Sequence, residues 1–302
     1  MMHIKKLLLL VVSTGILAVS SFSEEFSSKT YETQQIEDIE AKKSMKNFID
    51  GSFGLKPYRV NYILPYGYAS KSYSSYIPEE EYKNIEAELQ VSLKINVGYN
   101  LFGLNEMYYI SYTHKAFWQI YTKSSPFRET NYNPDAFVIF PIADTKSVFK
   151  LKSLKIAIAH LSNGQGNNED VIFPTGYTNP GNRSRSVNYF YTTLSMQHGV
   201  LLSDLQIWLP LTVNGDLSDN PDIVDYTGYA NLKLSYFYDS HMFTLMGRMC
   251  ATSGQGAIEG TYSYPLTDDV YLYTKLFSGY GESLIDYNNN ITKFSVGFSF
   301  SR

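Results

Sequence analysis

Two rhythms of apolar and polar positions divide the chain. Near the N-terminus, Leu7 to Val12 runs on through Ile16, Leu17 and Val19 behind the basic pair Lys5 and Lys6. Small residues follow at Ala18, Ser20, Ser21 and Ser23, so the segment 1–23 reads as a cleaved export signal. A retained membrane anchor is the alternative, although the apolar run is short for a spanning helix. The segment 24–51 is polar and charged, with little core-forming power, and reads as an N-terminal arm, partly disordered or briefly helical. The second rhythm then takes over for the remainder, 52–302, as one domain. Segments of roughly ten residues alternate in character with period two, the repeated signature of transmembrane β-strands.

About twelve such segments stand out, near 57–68, 86–99, 107–121, 129–142, 148–163, 188–198, 200–211, 228–239, 241–250, 256–265, 270–280 and 292–301. The last is the clearest. Phe294, Val296, Phe298 and Phe300 share one face, and Ser295, Gly297, Ser299 and Ser301 share the other. One face suits lipid and the other a polar interior, because strand side chains alternate. Long polar links such as Gly215–Asp222 alternate with tight ones such as Asp239–Ser240, as in a barrel inserted from one side.

Composition narrows the setting. No later stretch approaches 18 consecutive apolar residues, so no helical span is expected; a soluble exported protein would satisfy this too. However, 27 Tyr and 18 Phe in 302 residues are heavy for a soluble domain and suit the aromatic girdles of a membrane barrel. The net charge of −4 gives no reason to expect nucleic acid as a partner. The single cysteine, Cys250, excludes an internal disulfide framework. The expected fold is all-β, a twelve-stranded antiparallel transmembrane β-barrel in a bacterial outer membrane.

Chemistry enters at His160-Leu161-Ser162-Asn163-Gly164. Residues two apart on a strand share a face, which makes His160 and Ser162 neighbours. An imidazole beside a hydroxyl is the smallest unit that activates serine as a nucleophile. Leu154, Ile156 and Ile158 have the same parity, so the pair is expected to face lipid, where polar side chains are costly. An enzyme acting on lipids would want them there; two polar residues in the wet interfacial zone is the other reading. If the fifth and sixth segments pair, Asn188 approaches His160 and can accept its ring N–H, the third role in a Ser-His triad. A neutral Asn stabilises an imidazolium less than Asp would, so a metal ion is a natural helper for the oxyanion. His114, His198 and His241 lack a partner at useful spacing, and no Cys/His cluster suggests zinc. Arg128 and Glu129, being adjacent, are expected to point to opposite faces.

These residues resemble the outer membrane phospholipase A family, calcium-dependent lipid hydrolases of Gram-negative bacteria. Ser124-Ser125-Pro126-Phe127-Arg128-Glu129-Thr130-Asn131-Tyr132 followed by Pro134 resembles one family segment, and Ser184-Arg185-Ser186-Val187-Asn188 another. Asp219-Asn220-Pro221-Asp222-Ile223 and the stretch Ser278 to Asn288 resemble two more, so the likeness runs from about Tyr58 to the end. The resemblance implies acyl-ester hydrolysis of phospholipids and lysophospholipids, with A1 and A2 activity, by a calcium-loaded homodimer. It assigns Ser162 as nucleophile, His160 as base, Asn188 as the residue orienting it, and the Gly164 N–H as oxyanion donor. Calcium ligands fall on the Ser184 hydroxyl and the Gln165 carbonyl, with the Ser124 carbonyl coming from the partner subunit. The loop between Gly164 and Ser184 is longer than in the family, and Glu169 or Asp170 is an alternative to Gln165 there. Gln119 resembles a polar residue of the family's dimer surface. Against the lipase reading stands a passive pore or structural barrel in which the His-Ser pair is incidental.

Overall fold

A computed structural model describes residues 37–39, 54–73, 81–142, 146–166, 183–212, 217 and 219–302. The chain divides into two units, Met1–Leu55 and Lys56–Arg302. The expected export signal and nearly all of the polar arm lie outside the described residues.

The second unit is a closed barrel of twelve antiparallel strands. A two-residue piece, β1 (Lys56–Pro57), precedes β2 (Tyr62–Ala69), β3 (Ile85–Tyr99), β4 (Met107–Trp118), β5 (Phe127–Pro141), β6 (Leu151–Ser162) and β7 (Ser186–His198). The circuit continues through β8 (Leu201–Pro210), β9 (Ala230–Tyr238), β10 (His241–Met249), β11 (Gly256–Pro265), β12 (Tyr271–Gly279) and β13 (Ile291–Ser299). From β2 onward each strand pairs with its sequence neighbours, β13 closes the ring on β2, and the short β1 pairs with β3. A short helix, α1 (Ile223–Thr227), sits in the β8–β9 link.

The period-two pattern is what the barrel wall obeys. On β13, Lys293, Ser295 and Ser299 are fully buried inside, whereas Phe294 and Phe298 are exposed on the outer face. Two sequence expectations need correction. The first strand is not continuous: the chain leaves the wall at Tyr58–Asn61, between β1 and β2. The gap is bridged by side chains, with Asn61 Oδ1 accepting from the Ser92 N–H (2.5 Å) and Gln90 Nε2 donating to the Val60 carbonyl (2.8 Å). Second, Arg128 and Glu129 are both buried. The β4–β5 register slips between Phe117 and Trp118, which oppose Glu129 and Phe127 and skip Arg128. That β-bulge cancels the alternation at one residue and lets both charges enter the interior.

There they join an ion network. Arg128 binds Glu86 (2.9 Å) and Asp286 (2.5 Å), and Lys293 binds Glu86 (2.7 Å) and Glu282 (2.9 Å). Lys275 and Lys115 pair with Glu88. Pairing of this density is what makes buried charges tolerable. Glu282 and Asp286 belong to the β12–β13 link, whose residues Glu282 to Tyr287 are buried. Its Leu284 and Ile285 N–H groups bond Asn131 Oδ1 (3.2 Å) and Glu129 Oε1 (3.0 Å) on the inner face of β5. Tyr287 donates to Asp222, so this link and the β8–β9 link hold each other across one end of the barrel. Burial pushes the Asp286 carboxyl above the usual carboxylate range, although the Arg128 guanidinium draws it down. A cavity of about 560 Å³ persists in the lumen, but ion pairs cross the interior and a folded link covers the mouth. A polar, plugged interior of this kind gives the passive-pore reading no support.

The links also orient the barrel. Residues 199–200, 239–240 and 266–270 make short turns at one end, while the strand ends joined by the longer β6–β7 and β8–β9 links lie at the other. Long loops mark the external side of outer-membrane barrels.

Candidate active site

Position along β6 and its parity fix where the chemistry sits. Ala157 and Ala159 are buried, whereas Ile158 is exposed. The even residues therefore face outward, and His160 and Ser162 stand on the lipid side at the long-loop end. They are roughly 6.5 Å apart along the strand, neighbours on one face.

Register brings the third residue. Asn188 on β7 lies directly opposite His160, and Ser186 lies opposite Ser162. Asn188 gives its carbonyl to the Leu211 N–H (2.7 Å) on its other side, and Asn163 N–H donates to the Arg185 carbonyl (3.0 Å). Hence Asn188 and His160 form the close, non-hydrogen-bonded kind of antiparallel pair, with Cα atoms about 4.5 Å apart and side chains adjacent. Their side chains meet: Nδ1 of His160 is 2.8 Å from Oδ1 of Asn188. Because an amide oxygen only accepts, Nδ1 carries the proton and Nε2 keeps its lone pair. An imidazole fixed in this tautomer can take a proton from a neighbouring hydroxyl.

Gly164 follows at φ +63°, in the left-handed region that glycine alone enters without strain. A side chain there would also strike the Tyr132 ring, with a Cβ only 2.9 Å from Cε2. Asn163, fully buried, ties the base of the link together: its amide nitrogen donates to the Arg183 carbonyl (2.8 Å), and its oxygen accepts from the N–H groups of Arg185 (3.0 Å) and Gln165 (3.2 Å). Glu169 and Asp170, the acidic alternatives to Gln165, lie outside the described residues.

The oxygens expected to bind calcium are partly gathered. Ser184 precedes β7 and donates its hydroxyl to Asp219 Oδ2 (2.9 Å), as does Ser186 (2.9 Å). Asn220, fully buried, clamps the Ser186 backbone, accepting from its N–H (3.0 Å) and donating to its carbonyl (2.9 Å). Hydroxyl, carbonyl and carboxylate oxygens are the donors a hard divalent cation takes, and Asp219 supplies the charge that the expected set of Ser184, Gln165 and Ser124 lacked. This set fits calcium chemically. Sequence reasoning missed Asp219; the Asp-Asn-Pro-Asp turn was visible, but its approach to β7 was not. Among the described residues, no group of three His, Cys, Asp or Glu side chains forms a metal cluster. Ser124 is exposed at φ +64° in the β4–β5 link at the same end. Gln119 turns inward instead of toward a dimer surface: it is fully buried and its amide nitrogen donates to Glu86 (2.9 Å).

A closed antiparallel barrel with an imidazole and hydroxyl on its lipid face defines a class: bacterial outer-membrane β-barrel hydrolases. The Phospholipase A1 family profile matches residues 37–300, and the chain belongs to that family. Phospholipase A1 of Escherichia coli strain K12 is 37% identical over 254 residues, covering 82% of each chain. Among solved structures, an active-site Asn-to-Ala mutant of outer membrane phospholipase A from Escherichia coli superposes with TM-score 0.73 at 34% identity, covering 83% of this chain and 93% of that one. The Salmonella typhi outer membrane phospholipase dimer with bound calcium gives the same TM-score, 0.73, also at 34% identity over 83% of this chain and 93% of its own. The protein is therefore a phospholipase, an ester hydrolase of the bacterial outer membrane.

Proposed function

We propose that the protein hydrolyses acyl esters of phospholipids and lysophospholipids with a Ser162–His160–Asn188 triad, as a calcium-dependent homodimer. The observation that carries this reading is the 2.8 Å contact from His160 Nδ1 to Asn188 Oδ1, on the lipid face and in register with Ser162. Ser162 Oγ attacks the acyl carbonyl carbon while His160 Nε2 takes its proton. The Gly164 N–H donates to the developing oxyanion. As the bond between the acyl carbon and the glycerol oxygen breaks, His160 gives the proton to that leaving oxygen. Water, activated by the same imidazole, then releases the fatty acid and restores Ser162. Asn188 holds the ring through both half-reactions and stabilises its protonated form.

Ser184, Gln165 and Asp219 would hold calcium, with Ser124 contributed by the second copy. Bound there, the ion would supply positive charge for the oxyanion, which a neutral Asn cannot supply through the imidazole. The calcium-bound dimer of the Salmonella relative supports the assembly, and the active-site asparagine of the Escherichia relative supports Asn188.

The test is fatty-acid release from phosphatidylethanolamine in mixed micelles, with calcium or with chelator. Wild type should release fatty acid only with calcium, and chelation should lower the dimer fraction together with the rate. Ser162→Ala should be inactive while still folded; full calcium-dependent release by that variant would remove Ser162 from its role. An unchanged rate in a demonstrably monomeric sample would remove the shared site.

A further inference from the structure

The wall carries a defect beside His160. In the β5–β6 register, Tyr132 opposes Ser162 and Asp135 opposes Ala159, so Pro134 opposes His160. Even-numbered residues of β6 turn their backbone groups toward β5, since odd-numbered Asn163 bonds to the β7 side. Proline has no N–H, so the ladder donor that should reach the His160 carbonyl is missing. An unmatched carbonyl in a barrel wall has no water to turn to. A side chain fills the gap: Asn133, on the inner face, donates Nδ2 to the His160 carbonyl at 2.8 Å.

Asn133 is itself held. It is buried, its Oδ1 accepts from Arg59 (3.0 Å) and from the Tyr189 hydroxyl (3.2 Å), and its Nδ2 also lies 3.1 Å from that hydroxyl. Arg59 belongs to the stretch that leaves the wall between β1 and β2. The amide thus ties the main chain at His160 to the packed interior, at the one point on the β5–β6 seam where the backbone cannot do so. We propose that Asn133 is a positioning residue: its amide replaces the hydrogen bond forbidden by Pro134, and so fixes the His160 backbone that aims the imidazole at Ser162. The inference rests on the triad reading above.

Proline also supplies the test. Asn133→Ala removes the donor, and Pro134→Ala restores a backbone N–H at the matching position. Pro134 is exposed on the outer face, so the alanine has no packing to upset. All variants are purified as folded full-length barrels, verified by the gel shift between heated and unheated samples, and assayed for fatty-acid release with calcium. Asn133→Ala should lose about tenfold in kcat with KM nearly unchanged, the effect of one lost hydrogen bond plus a misaimed base. Pro134→Ala alone should stay within about twofold of wild type. The double variant should recover to within about threefold, which a merely structural role for Asn133 would not produce, because Arg59 and Tyr189 still lack the Asn133 amide in it. A double variant no faster than Asn133→Ala, or an Asn133→Ala loss confined to KM, would overturn the inference. Ser162→Ala, run alongside, keeps the two readings apart: if it hydrolyses normally the triad reading falls and takes the role of Asn133 with it. If it is inactive and rescue still fails, only the positioning role falls.

Discussion

Asn188 offers a direct measure of how much the imidazole depends on its partner. Asn188→Ala deletes the acceptor 2.8 Å from His160 Nδ1 and leaves the rest of the outer face in place. In the resting enzyme the bond is neutral and contributes about 1 kcal/mol. In the transition state the ring carries the Ser162 proton, and the same bond becomes charge-assisted, about 1.5–3 kcal/mol. The difference, about 0.5–2 kcal/mol at roughly 1.4 kcal/mol per factor of ten, should lower kcat by about 2- to 30-fold. KM should hold within about twofold, because the interaction strengthens only in the transition state. Asn188→Asp keeps an acceptor at the same reach and adds charge, so it should regain most of the loss. The assay is steady-state release of fatty acid from mixed micelles at saturating calcium, with lipid varied as mole fraction. A kcat for Asn188→Ala within about 1.5-fold of wild type, or a loss seen only in KM, would refute the role of the asparagine as the holder of the base.

Two further outcomes follow from the geometry. Gly164→Ala places a methyl group against the Tyr132 ring at a left-handed φ; release should fall at least tenfold with little change in unfolding midpoint, and a fully active variant would show that the link tolerates another backbone path. Arg128→Met leaves the buried Glu86 and Asp286 without their guanidinium, so stability measured by denaturant titration in micelles should fall by about 3–5 kcal/mol, whereas a loss under about 1 kcal/mol would mean that water reaches the network.

The alternation of β13 and the parity of His160 and Ser162 could be read without a structure because the barrel wall imposes a strict period of two. Arg128 escaped that reading for the same reason: one inserted residue in β5 reverses the parity, and nothing in the local sequence marks where the partner strand slips. The break at Tyr58–Asn61 was hidden because the partners that bridge it, the Ser92 N–H and the Gln90 side chain, lie on β3. Asp219 and Asn133 act on residues of β7 and β6, so their roles depend on register and loop placement that spacing does not encode. Asn188 was the exception, since a hairpin between consecutive strands is the one long-range pairing that chain order predicts.

The covered barrel mouth bears on how a substrate can arrive. With the interior crossed by ion pairs and His160 on the outer wall, the proposed triad opens to the lipid and not to the lumen. A phospholipid must come sideways, diffusing in the plane of the bilayer. The enzyme then senses its substrate as a surface density, and diluting the lipid with inert detergent at constant total amount slows it as surely as removing lipid from the solution would slow a soluble esterase.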